Sequence, residues 1–109
     1  MAKFMAIYTG MPGATRPDDA TLAKGMAAWT AWMQEHAAQF VDTGGPLGKT
    51  KRVNKDGIAD ARNNIAAYVV VEAADQDAAA AMFVNHPHFA IFPGDGVDIM
   101  PCLPIPGQG

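Results

Sequence analysis

Three histidines and one aspartate carry most of the proton-transfer chemistry this chain can offer. His86 and His88 flank Pro87 in the stretch NHPHFAIFPGDGVDIMPCLPIP, His36 follows Trp29, Trp32 and Met33, and Asp98 falls in the strand-like tail. Neutral imidazole titrates near physiological pH and suits acid–base work. A desolvated carboxylate such as Asp98 would be a fitting partner. These residues also have a structural reading. His86 can end a helix with a backbone hydrogen bond while His88 starts the next turn, and His36, four residues after Trp32, can simply stack on it. Asp98 alternates with Val97 and Ile99, so it points with Met100 and Cys102 to the opposite face. That face is either the inside of a barrel or solvent.

The elements that must position these groups follow from periodicity and turn chemistry. Lys3–Tyr8 and Ala66–Glu72 are apolar on both faces, which predicts two central strands. Asp18 and Asp19 open a helix of about 20 residues whose apolar positions Leu22, Met26, Trp29, Met33, Ala37 and Phe40 share one face. Gly44-Gly45-Pro46 reads as its terminator. Gly48–Asn54 reads as the second strand, and Asp56-Gly57 as a turn leading into an irregular excursion. Asp75 or Asp77 caps a second helix running to His86, where Pro87 ends it. Gly94–Gly96 turn the chain into a last strand, Val97–Leu103.

The order β-α-β-β-α-β predicts an α+β, ferredoxin-like fold with a four-stranded antiparallel sheet and two helices on one face. Two helices cover one face only, so the apolar second face of the sheet predicts a homodimer packed sheet to sheet, a dimeric α+β barrel. A chain of 109 residues with 50% apolar and 17% charged residues fits one domain, 1–109.

Composition narrows the function. No apolar run approaches the roughly 20 residues that span a bilayer, so no membrane partner is expected. The N-terminus lacks a secretory signal and Cys102 is the single cysteine, which together predict a cytoplasmic protein. A net charge of −3 gives no nucleic-acid footprint. Five of the eight basic residues (Lys49, Lys51, Arg52, Lys55 and Arg62) lie within 14 positions, read as an exposed edge and hairpin or as an anion-attracting rim. No phosphate loop, dinucleotide fingerprint or metal-ligand spacing is present, so neither a cofactor nor a metal is expected.

MAKFMAIYTG, GGPLGKTKRV, AAYVVVEAADQDAAAAMF and HPHFAIFPGDGVDIMPCLPIP together resemble the YCII-related family, including its DGPF-type branch, over nearly the whole chain. The resemblance implies a dimeric α+β barrel. Some of these proteins are proposed to use a His–Asp dyad. Here the matching positions hold Trp29 and the His86-Pro87 step, so the dyad is not carried over. The expected function is therefore a small-molecule cleft near the first helix and the HPHF loop. Trp29, Trp32, Met33, His36 and Phe89 would line it, and His86, His88 and Asp98 are the catalytic candidates. The alternative is a non-catalytic binding or accessory module. Phe89 is expected to anchor the HPHF corner, with Phe89→Ala costing about 3–5 kcal/mol. His88, freer to face the cleft, is expected to be dispensable for folding, and His86→Ala to fall between the two.

Overall fold

In the computed structural model, which describes residues 1–10 and 16–107, four strands form an antiparallel sheet: β1 (Ala2–Gly10), β2 (Phe40–Pro46), β5 (Ile65–Ala73) and β6 (Gly94–Pro101), in the order β2-β5-β1-β6. Two strands, β3 (Thr50–Asn54) and β4 (Gly57–Ala61), form a separate ribbon. Helices α1 (Asp19–Glu35), α2 (Gln76–Ala81) and the single turn α3 (Pro87–Ala90) pack on one face of the sheet. This is an α+β, ferredoxin-like fold. Among the described residues no helix is long and apolar enough to cross a membrane.

The two strands that are apolar on both faces lie at the centre of the sheet, where both edges are paired. On the helix side Phe4, Ala6 and Tyr8 of β1 meet Val69, Val71 and Ala73 of β5, and with Trp32, Ala79, Met82 and Phe83 they make the core. Each of the larger apolar side chains stabilises the fold by roughly 1.5–3 kcal/mol through removal from water. On the far face Met5 and Ile7 lie opposite Val70 and Tyr68, and all four are half-buried, with no helix among the described residues packed over them.

Four elements differ from the expectations above. Helix α1 is capped as predicted, with the Asp18 carboxylate accepting the Thr21 N–H at 2.7 Å, but it ends at Glu35. A 3₁₀ turn at Ala37–Gln39 then leads into β2, so Gly44-Gly45-Pro46 is edge strand and no helix stop. Thr50–Asn54 is no strand of the main sheet; it pairs with Gly57–Ala61 across the Lys55-Asp56 turn in unbroken register, in place of the irregular excursion. Helix α2 gives way at Ala81 to tighter turns, in which the Met82, Phe83 and Val84 N–H groups donate to the Ala79, Ala80 and Ala81 carbonyls, and Asn85 at φ 60° ends that run before His86. Strand β6 begins three residues early, with Gly94 and Gly96 paired to Gly10 and Thr9.

Gly44 shows why β2 carries a glycine pair. The β2–β5 register shifts on either side of Asp42, and Gly44 sits in the irregularity at φ 61°, so close to β5 that an added Cβ would lie 1.8 Å from the Tyr68 carbonyl oxygen. Backbone cannot yield as a side chain does. Gly44→Ala is therefore expected to destabilise the protein by about 2 kcal/mol or more, read as a lower urea midpoint at unchanged slope. A midpoint within error of wild type would show that β2 is free to move off β5.

Candidate functional site

The Asn85-to-Ile91 corner is built around His86. Pro87 occupies the first position of α3, where its missing N–H costs nothing, and His86 becomes the cap of that turn. Its Nδ1 accepts the His88 backbone N–H at 3.0 Å. That bond fixes the tautomer: with the Nδ1 lone pair occupied, the neutral ring carries its proton on Nε2, which donates to the Tyr8 hydroxyl oxygen at 3.2 Å. The phenol oxygen is then an acceptor. Its own O–H has no acceptor among the described residues, on a side chain that is 3% exposed.

Aromatic rings enclose His86 on every side. It has 0% of its surface exposed, with Trp29 at 4.6 Å and Trp32 at 4.4 Å between ring centroids in edge-on contacts, and Phe83 stacked at 5.9 Å. Burial among these rings, together with the like charges that His88 and His36 would carry, lowers the His86 pKa from 6.5 to about 4. Burial also pushes the Tyr8 phenol above its ordinary value. At neutral pH the pair is therefore an uncharged imidazole donating to an uncharged phenol.

His88 completes the corner. Its Nε2–H donates to the Thr9 carbonyl at 2.7 Å, which ties the loop to the end of β1. A glycine makes this possible, since a Cβ on Gly94 would lie 2.3 Å from the His88 carbonyl oxygen and 2.4 Å from Nε2. Both histidines are buried and satisfied, in contrast to the expected cleft-facing His88.

A cleft of about 330 Å³ opens between α1 and the β2–β5 side of the sheet. Met26, Trp29 and Met33 form its helix wall, Ala67 and Val69 its floor with Tyr8, and Thr43 and Gly45 its rim. Of the candidate wall residues, Trp29 and Met33 meet here. Trp32 does not: it is buried in the core, and its indole N–H donates to the Met82 carbonyl at 2.7 Å. His36 packs on Trp32 at 5.3 Å and bonds Gln39 through Nδ1. Phe89 is 38% exposed and borders a different depression, so it neither walls this cleft nor anchors the corner. Asp98 is exposed opposite Ile7, on the sheet face away from the helices, and is not brought to the histidines.

Tyr8 and Thr9 are the site residues that sequence reasoning passed over. Tyr8 reads as one more apolar residue of a central strand. The usable signal was its hydroxyl, since a buried phenol needs a polar partner and the chain has few to give. Among the described residues no three His, Cys, Asp or Glu side chains converge as metal ligands would.

No family model matches the chain, and no curated protein matches it. A solved structure does: 5-chloro-2-hydroxyhydroquinone dehydrochlorinase of Burkholderia phenoliruptrix, in complex with 2,5-dihydroxybenzoquinone, superposes with a TM-score of 0.56 and 17% identity over 89% of each chain. At that identity the likeness is one of fold.

Proposed function

We infer that this protein binds a small planar molecule carrying a carbonyl-type oxygen in the cleft beside α1, with the Tyr8 hydroxyl as the donor that meets that oxygen. The observation that carries this reading is the His88 N–H bond to His86 Nδ1, from which the His86–Tyr8 direction follows, together with Tyr8 bordering the cleft. Trp29, Met26 and Met33 suit a flat, weakly polar ring, and the Thr43 rim supplies a second polar contact. The ring-shaped, oxygen-bearing ligand of the structural neighbour belongs to the same class.

Such a donor, preorganised in a water-poor site, stabilises negative charge growing on a bound carbonyl oxygen, and that is the chemistry Tyr8 offers if the ligand is turned over. Neither histidine is offered as a base. The Nδ1 atom of His86 is occupied by the His88 N–H, and His88 is committed to β1. The absence of a free base from these two positions favours, as a second reading, a binding module that holds its ligand unchanged. The apolar far face of the sheet supports the assembly that goes with either reading, a homodimer of the α+β-barrel type; the YCII-like family and a cytoplasmic location are proposed from the sequence resemblance and composition.

Titration with 2,5-dihydroxybenzoquinone, followed by quenching of Trp29 fluorescence, tests the proposal. Saturable binding is expected, weakened about tenfold in Tyr8→Phe, as the loss of one hydrogen bond predicts. Equal affinity of Tyr8→Phe and wild type would remove Tyr8 from the site. Spectral change of the bound quinone with time separates turnover from holding.

A further inference from the structure

The β3–β4 ribbon is the part of the fold that its own chain leaves unsupported. Every residue from Lys51 to Asp60 is exposed, and Val53 and Ile58, which pair across the ribbon on one face, are 71% and 75% exposed. A two-stranded ribbon alone in water is marginal. The molecule is also extended for its length, with a radius of gyration of 15.8 Å against about 13 Å for a compact chain.

We propose that this arm clasps a second copy of the chain, seating the Val53–Ile58 pair in the apolar depression bordered by Val84, Phe89, Val97 and Ile99. Three observations identify the occupant. Positions 49–62 hold five basic and two acidic residues, whereas the rest of the chain holds three basic and nine acidic ones. A basic arm thus faces an acidic body, and Asp95 lies in the depression itself. The depression, of about 260 Å³, has open apolar walls, with Val84 68% and Phe89 38% exposed. Finally, the arm joins β2 to β5 at one edge of the sheet while the depression borders β6 at the other, so a chain's own arm is on the wrong side. A two-fold partner removes that obstacle, each copy giving one arm and receiving one.

Nucleic acid is the competing occupant for a basic ribbon. The acidic body opposes it, and an exposed Val–Ile pair gains nothing from a phosphate backbone.

The inference is independent of the ligand cleft and distinct from pairing through the sheet faces. Sedimentation equilibrium of wild type, Val53→Asp, Ile58→Asp and Val84→Asp tests it, with far-UV circular dichroism confirming that each exposed substitution leaves the fold intact. Wild type is expected at twice the 11.5 kDa chain mass, with each variant raising the dimer dissociation constant tenfold or more. A monomeric wild type overturns the proposal. So does a dimer whose dissociation constant none of the variants moves, which would leave the sheet faces as the whole interface, and so does binding of duplex DNA by a wild type that does not self-associate.

Discussion

His86→Ala is expected to destabilise the protein by about 3–5 kcal/mol, the range for an emptied buried site with stranded polar partners. Its ring is fully enclosed, so truncation leaves a cavity among Trp29, Trp32 and Phe83 that rigid aromatic neighbours fill poorly. The same change strips the His88 N–H of its acceptor and the Tyr8 oxygen of its donor. His88→Ala should follow closely, because it breaks the 2.7 Å bond to β1 and empties the space over Gly94. Phe89→Ala, at a residue 38% exposed, should cost under about 1.5 kcal/mol, since its ring keeps much of its contact with water. Phe89 thus moves from first of the three in the order drawn from the HPHF sequence to last. Urea melts of the three variants at constant slope would establish it, and a Phe89 variant less stable than the His86 variant would refute it.

Stability should also fall steeply on mild acidification. Folded His86 takes a proton only near pH 4, while the unfolded chain takes it at the ordinary value of 6.5. Above 6.5 neither state is protonated there and the residue adds no pH dependence. Between 6.5 and about 4 the unfolded state holds the extra proton, so stability drops as pH falls, by about 3 kcal/mol in all. Below 4 both states carry the proton and this contribution levels off. The Asp18 cap, whose carboxylate is held below its usual range by the Thr21 N–H, loses its effect only as pH falls below the usual carboxylate value of 3.8, so the two windows separate. Unfolding free energies measured across this range should slope downward toward acid in wild type and lose most of that slope in His86→Gln. Parallel curves for the two proteins would show that His86 titrates normally.

Much of the architecture was legible because periodicity reports burial on both faces. β1 and β5 were placed at the centre of the sheet from their two-sided apolar character alone, and the sheet order agrees. Phe40–Pro46 was misread because Met33, Ala37 and Phe40 continue the three-to-four spacing of α1 through the 3₁₀ turn, so the pattern does not mark where the helix gives way to strand. Glycine next to proline is a common helix stop, and Gly44 differs only in a bulge that requires its positive φ against Tyr68. The histidine corner was legible as a turn and not as a core. A His-Pro-His sequence is equally compatible with an exposed loop, and burial of His86 depends on Trp29, Trp32 and Phe83 arriving from α1 and the turn after α2. Tyr8 and His86, 78 positions apart in the chain, meet only through that packing.

The central claim is that His86 is a neutral Nε2–H donor that frees the Tyr8 proton for a ligand, and nitrogen-15 NMR of the imidazole reads that state atom by atom. The account predicts a protonated Nε2 and an unprotonated, hydrogen-bond-accepting Nδ1 at neutral pH, unchanged until the ring titrates near pH 4. A proton on Nδ1, or titration near the ordinary 6.5, would contradict it and return the Tyr8 hydroxyl proton to His86.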